Sequence, residues 1–419
     1  MKSRNSIAVL AALALFMASV AASMASVQPE KPQKEPAWVK DIPAEKIIEW
    51  RRHIHQNPEL SYEELFTSEY VTSVLESFGN IEVIWPTPTS VIGILRGGKP
   101  GRTVAFRADM DALPVAEETG LPFASVNEGV SHACGHDVHT AMLLGTAATL
   151  SSMQKQVKGT VYFIFQHAEE QSPGGALDII KTGVLNDVGA FFGLHIGPGL
   201  VPGTVGILPD GPASTASDGF YLIIQGKGSH GSMPHLGIDP IVTGAEIVTA
   251  LQTIVSRNVT PGEMAVISVG KFQSGNAPNV IPDRALLAGT VRTISDQTRQ
   301  LLEERIRTVI DKIALAHGAT CSLEYTSGYP AMQNDPALNR LARASSVKIL
   351  GSEMVLDAPR MTASEDFARY REIAPSCYIN LSTGPGVTNH HPAFNPDESA
   401  LINGVKAEVQ IILDYLEQK

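Results

Sequence analysis

Short apolar runs that alternate with stretches of helical periodicity constrain this chain more than any other feature. Apolar residues recur at helical spacing over 42–79, broken at Asn57-Pro58. Strand-like runs then appear at 90–95, 103–107, 160–166 and 190–195, with helical patterns near 140–153 and 174–181. Alternating β and α segments predict an α/β fold with a largely parallel, doubly wound sheet. The rhythm changes at 214. Runs at 217–226, 264–272, 284–293 and 320–326 read as strands, and 239–256 and 295–316 as helices. That β-α-β-β-α-β order is a ferredoxin-like α+β unit. After Pro330 the earlier rhythm returns, with a helix at 336–350, a strand at 377–381 and a closing helix at 397–418. The expected architecture is one discontinuous catalytic domain, 41–213 and 329–419, interrupted by an insert at 214–328.

The first residues read differently. Lys2 and Arg4 precede an apolar run over 7–22 and then small residues, the pattern of a signal peptide over 1–25. The run is shorter than the roughly 20 residues a spanning helix needs. Residues 26–40 are rich in Pro and charge and read as a linker. The expectation is export to the periplasm or beyond, with no membrane attachment after cleavage. Lys and Arg number 32 against 43 Asp and Glu, and no basic patch is present, which argues against nucleic acid as a partner. Three scattered cysteines are too few for a disulfide framework.

Chemistry concentrates in loops that follow predicted strands, where ligands gather in parallel sheets. One loop carries Asp109 and Asp111, another His167, Glu169 and Glu170, and a third His195. Between the first two lies His132-Ala-Cys134-Gly-His136-Asp137-Val-His139, and far downstream Asn389-His390-His391. Six of the 12 histidines (132, 136, 139, 167, 195 and 390) fall in these loops. Any one of them alone is ordinarily a hydrogen-bonded surface or core residue. Together with a thiolate and carboxylates they suit zinc or a similar ion. In Glu169-Glu170 one carboxylate can bind metal while its neighbour stays free as acid/base. Five or more ligands exceed one tetrahedral ion, so a two-metal site is expected. Two other motifs fail. Gly226-Lys-Gly228-Ser-His-Gly231 fits a dinucleotide loop, but Pro234 and Gly237 stop a helix from starting there. No G-x-S-x-G elbow for a serine hydrolase occurs.

The strings RRHIHQNPELSYEE (51–64), RADMDALP (107–114), HACGHDVHTAMLLG (132–145), FQHAEE (165–170), GKGSHGSMPH (226–235), NVIP (279–282), SEDF (364–367) and HHP (390–392) resemble the M20 metallopeptidase family. They match its amidohydrolase branch of hippurate hydrolases, N-acyl-amino-acid amidohydrolases and plant auxin-conjugate hydrolases, from about residue 42 to the C-terminus. The resemblance implies a two-domain fold whose insert dimerises and closes over the site as a lid. It implies two divalent ions, zinc or manganese first, with cobalt and nickel compatible, held by Cys134, His136, Glu170, His195 and His390. His391 competes with His390, and the family pattern favours the first. Glu169 would be the base that activates water, Asp111 would orient a ligand, and His230 and Asn279 of the insert would serve the substrate. His167 stands where the family usually has Pro, either as a tolerated loop change or as an extra imidazole in the pocket. The implied function is hydrolysis of the amide of an N-acyl amino acid or similar conjugate, by a homodimer. The alternative is a dipeptidase or carboxypeptidase with the same metal site. A binding protein gives no reason for a spare carboxylate beside the ligands.

Overall fold

The computed structural model describes residues 35–418, so the expected signal peptide and most of the expected linker lie outside the described residues. The end of that linker belongs to the fold instead. Ala37–Asp41 is a 3-10 helix, and Trp38 is buried in the main core. Burying one indole outweighs the pull of the flanking Pro and Lys toward an open tie.

The main sheet has eight strands in the order Glu82–Thr87, Ser90–Arg96, Lys158–Gln166, Lys99–Asp109, Phe191–Gly197, Ser376–Ser382, Val205–Ile207 and Val355–Asp357. Its four central strands, Lys158–Gln166 to Ser376–Ser382, run parallel. The flanks depart from the largely parallel expectation, because Ser90–Arg96 and Val205–Ile207 each meet the parallel core antiparallel. Glu82–Thr87 and Ser90–Arg96 are joined by a tight turn, which only an antiparallel pair allows. Along Lys158–Gln166 the side chains alternate: Val161, Phe163 and Phe165 enter one core, Tyr162 and Ile164 the other. The first face is covered by helices Ala44–Gln56, His136–Ser152, Pro336–Leu350 and Leu401–Glu417. Gly175–Lys181 and the 3-10 helix Asp366–Glu372 cover the second. Burial on both faces is what makes these strands read as continuous apolar runs.

A second sheet orders Ala265–Ser274, Arg284–Thr293, Ala216–Gln225 and Thr320–Ser327, all antiparallel neighbours. Helices Pro240–Asn258 and Asp296–His317 give it a core of its own, with Leu222 and Ile224 against Ile247, Leu251, Leu302 and Ile306. Both helices start where side-chain caps place them: Asp239 accepts the N–H of Ile241 (2.8 Å) and Ser295 that of Thr298 (3.2 Å). The glycine loop after Gln225 opens no helix. Its Ser229–His230 pairs with Val280–Ile281 as a short ribbon.

Candidate metal centre

The parallel strands deliver their carboxyl ends to one edge, and the candidate ligands meet there. Cys134 and His136 flank Gly135, which precedes helix His136–Ser152 with φ 93°. A Cβ on Gly135 would stand 2.4 Å from Ile196 Cδ1, so glycine is required by both space and backbone. His195 projects from strand Phe191–Gly197. The distant His390 loop is laced to the cysteine loop by two hydrogen bonds: Asn389 Nδ2 donates to Cys134 O (2.8 Å) and His390 N to Ala133 O (2.7 Å).

The resulting distances are short. Cys134 Sγ lies 3.5 Å from His195 Nε2 and 3.3 Å from His390 Nε2, and Glu170 Oε1 lies 3.2 Å from His390 Nε2. Among the described residues five triads each offer ligand atoms within 4.8 Å of one another, three of them built on the candidate ligands: Cys134, His136 and His195; Cys134, Glu170 and His390; and His136, Glu169 and Glu170; the other two are Asp109, His136 and His139, and Glu169, Glu365 and Asp366. The first two share Cys134. Backbone carbonyls set the imidazoles: His136 Nδ1 donates to Asp111 O (2.8 Å) and His195 Nδ1 to Ile196 O (2.6 Å), leaving Nε2 of each toward the cluster. His136 Nε2 is buried and has no hydrogen-bond partner, its nearest carboxylates standing 3.6 Å (Asp109) and 4.0 Å (Glu170) away. An orphaned imidazole lone pair among a thiolate, two further imidazoles and a carboxylate fits a bound divalent cation.

His139 is excluded as a ligand. Its Nε2 accepts the N–H of Ile196 (2.9 Å), so its Nδ1–H donates to Asp109 (2.6 Å), and both nitrogens are used. His391 turns away, its Nδ1 accepting the Ala393 N–H (3.0 Å). His167 is buried edge-on against Tyr62 and belongs to none of the ligand groups among the described residues. His132 belongs to none either.

Charge is concentrated here. Burial pushes the Cys134 thiol up, but His136 and His195 outweigh it and hold it at about 7. Burial raises the Glu170 carboxyl, yet His390 and His136 bring it below the usual range. Glu169 goes the other way: burial, then Glu365 and Glu170, hold its carboxyl well above the usual range. Adjacent carboxylates are thus pushed apart, which favours different roles.

Asp111 lies beneath the Glu169-Glu170 turn. Its carboxylate accepts both N–H groups (3.1 and 3.0 Å) and the Ser61 hydroxyl (2.6 Å). His230 and Asn279 are not brought to the cluster by their own chain. Both are exposed, His230 on the short ribbon and Asn279 in the turn just before its second strand, outside the walls of the metal cavity. A buried ionic group goes beyond the candidates named from the sequence. Arg107 pairs with Asp109 (2.5 Å), Asp366 (2.8 Å) and Glu365 (3.1 Å), and Glu365 Oε2 accepts the Tyr378 hydroxyl (2.9 Å). Its members lie in the RAD and SEDF strings, but no single-residue pattern marks an arginine that crosses a sheet. Beside the cluster opens a cavity of about 750 Å³ whose outer walls include Leu200, Val201, Leu356 and Met361.

Residues 105–414 match Peptidase family M20/M25/M40. The chain belongs to this family. It is 43% identical over 358 residues to an N-acetyl-L-cysteine deacetylase of Bacillus subtilis (strain 168), covering 85% of each. Against an N-acyl-L-amino acid amidohydrolase of Geobacillus stearothermophilus it is 47% identical over 288 residues, 69% of this chain and 78% of the relative. The crystal structure of a dinuclear metal-binding M20 peptidase from Bacillus subtilis superposes with a TM-score of 0.79 at 37% identity, over 90% of this chain and 99% of the other. Membership in M20 thus agrees with the mixed α/β sheet and with a cluster able to hold metal.

Proposed function

We propose that this M20 protein is a metal-dependent amidohydrolase that splits N-acyl amino acids or similar conjugates into a carboxylic acid and an amino acid. The observation that carries the reading is Glu169, a buried carboxylate with raised proton affinity beside a thiolate, imidazole and carboxylate cluster. The names of its relatives, a deacetylase of N-acetyl-L-cysteine and an N-acyl-L-amino acid amidohydrolase, support the same chemistry. Cys134, His136, Glu170, His195 and His390 would hold a pair of divalent ions. When bound, such ions supply Lewis acidity toward an acyl carbonyl and ease the deprotonation of water. Zinc and manganese fit the donor set, with cobalt and nickel as competitors.

Glu169 takes the proton from water at its carboxylate and returns it to the leaving nitrogen. Asp111 fixes the turn by holding two of its N–H groups. The apolar walls at Leu200, Val201, Leu356 and Met361 hold the acyl group of the substrate. A second copy of the chain completes the site, because His230 and Asn279 stand exposed and apart from their own cluster. His230 would then donate to the developing oxyanion. Export remains part of the proposal and rests on Lys2, Arg4 and the apolar run after them.

The test is a panel of N-acetyl, N-benzoyl and dipeptide substrates on chelator-stripped protein refilled with each ion. Release of acid and amino acid that stops with chelator supports the reading. Cleavage of dipeptides alone, or hydrolysis indifferent to chelator, overturns it.

A further inference from the structure

The turn that carries Glu169 is held in a costly backbone conformation. Ala168, directly before it, has φ 50°, a region that residues with a Cβ adopt only when their surroundings impose it. Three successive N–H groups of this turn are captured by two buried carboxylates. Asp111 takes those of Glu169 and Glu170, and Glu64 Oε1 takes that of Ala168 at 2.7 Å. Glu64 is fully buried, belongs to none of the ligand groups, and its other oxygen has no hydrogen-bond partner.

A buried acid is expensive, and this one sets Oε1 2.7 Å from the Ala168 amide. The segment that supplies it is built around that contact. Glu59 accepts the N–H groups of Phe66 (3.0 Å) and Thr67 (2.8 Å) at the start of helix Leu65–Ser77, which fixes where Glu64 stands. Ser61 Oγ donates to Asp111 (2.6 Å) from the same segment. The stretch 58–64 therefore meets the reactive turn directly through Glu64 and indirectly through Ser61 and Asp111, without supplying any candidate ligand.

We propose that Glu64 is a positioning residue: by accepting the Ala168 N–H it holds the left-handed turn that aims Glu169 into the site while Glu170 faces the ligands. The proposal rests on the reading of Glu169 as the base. It differs from a packing role in what it asks of the side chain, namely an acceptor at one place.

Glu64→Leu, which keeps the bulk and removes the acceptor, is expected to lower kcat roughly 10- to 100-fold with KM and metal content little changed. Glu64→Gln keeps an oxygen for the same N–H and should stay within about threefold of wild type. Adding Ala168→Gly to Glu64→Leu should recover part of the loss, because glycine reaches φ 50° without a Cβ penalty. Wild-type kcat in Glu64→Leu, a fall in Glu64→Gln equal to that in Glu64→Leu, or loss of metal from both overturns the proposal. If Glu64→Leu does not fold, Glu64→Asp is measured instead, since it keeps the acid but withdraws the acceptor by one methylene; unchanged kcat then overturns it. Glu169→Gln is run alongside. Should that variant keep its turnover, the general-base reading fails whatever Glu64 does.

Discussion

Glu169 and Glu170 are neighbours in the chain, yet their surroundings separate them completely. Glu170 Oε1 points at His390 Nε2 (3.2 Å), whereas Glu169 is hemmed in by Glu365 and Glu170 and holds its proton more tightly than an ordinary carboxyl. Glutamine is close to isosteric with glutamate but cannot accept a proton from water. Glu169→Gln is therefore expected to lower kcat by about 10²–10⁴-fold with metal content near normal. Glu170→Gln should lose metal as well, because an amide is a poorer ligand than a carboxylate. Parallel measurements of turnover and bound metal check this, and equal metal loss in both variants would show the two roles to be misassigned.

At the scale of elements, helix His136–Ser152 places the site, and its ends and flanks decide how firmly. Of its 17 residues, 15 are buried, so it lacks the one-sided pattern of a surface helix. Gly135→Ala puts a Cβ 2.4 Å from Ile196 Cδ1 at φ 93°. It should destabilise the fold by more than about 1 kcal/mol and lower metal affinity, seen in denaturant midpoints and metal titration. Behind the same helix, Thr146 Oγ1 donates to Glu408 Oε2 (2.6 Å) on helix Leu401–Glu417. Burial pushes the Glu408 carboxyl from 4.5 to about 8, with Thr146 pulling the other way. Over that interval the folded state keeps a proton that the unfolded chain has released. The stability this group contributes is thus full below pH 4.5 and lost as pH rises to about 8, by at most about 1.4 kcal/mol per pH unit. Glu408→Gln can still accept from Thr146 but has no proton to lose. Its melting temperature should pull ahead of wild type progressively between pH 5 and pH 8, and a constant gap would contradict the assignment.

For the whole molecule, the proposed role of His230 requires a second copy of the chain, since His230 stands on the short ribbon and outside the cavity of its own chain. If a second copy supplies it, His230→Ala should cost roughly 10²–10³ in kcat with metal content intact. Mixing inactive His230→Ala with inactive Glu169→Gln protein should then restore activity as subunits exchange, because one site in each mixed pair is whole. A mixture that stays inactive excludes action across subunits. The alternation of strands and helices and the β-α-β-β-α-β break at 214 were legible in the sequence, because local periodicity acts over a few residues. The loops that hold His132 to His139, His167 to Glu170, His195 and Asn389 to His391 were legible as metal-capable, whereas the set Cys134, His136, Glu170, His195 and His390 came from the resemblance to M20. The antiparallel flanks were not legible, because short strands at a sheet edge leave little pattern. Not legible either were the hydrogen bonds that occupy both nitrogens of His139, the Arg107 ion network, or the contact of Glu64 with Ala168. Those depend on which atoms meet across up to 259 residues of chain, and only the closed sheet, by packing its strands in one order, decides that.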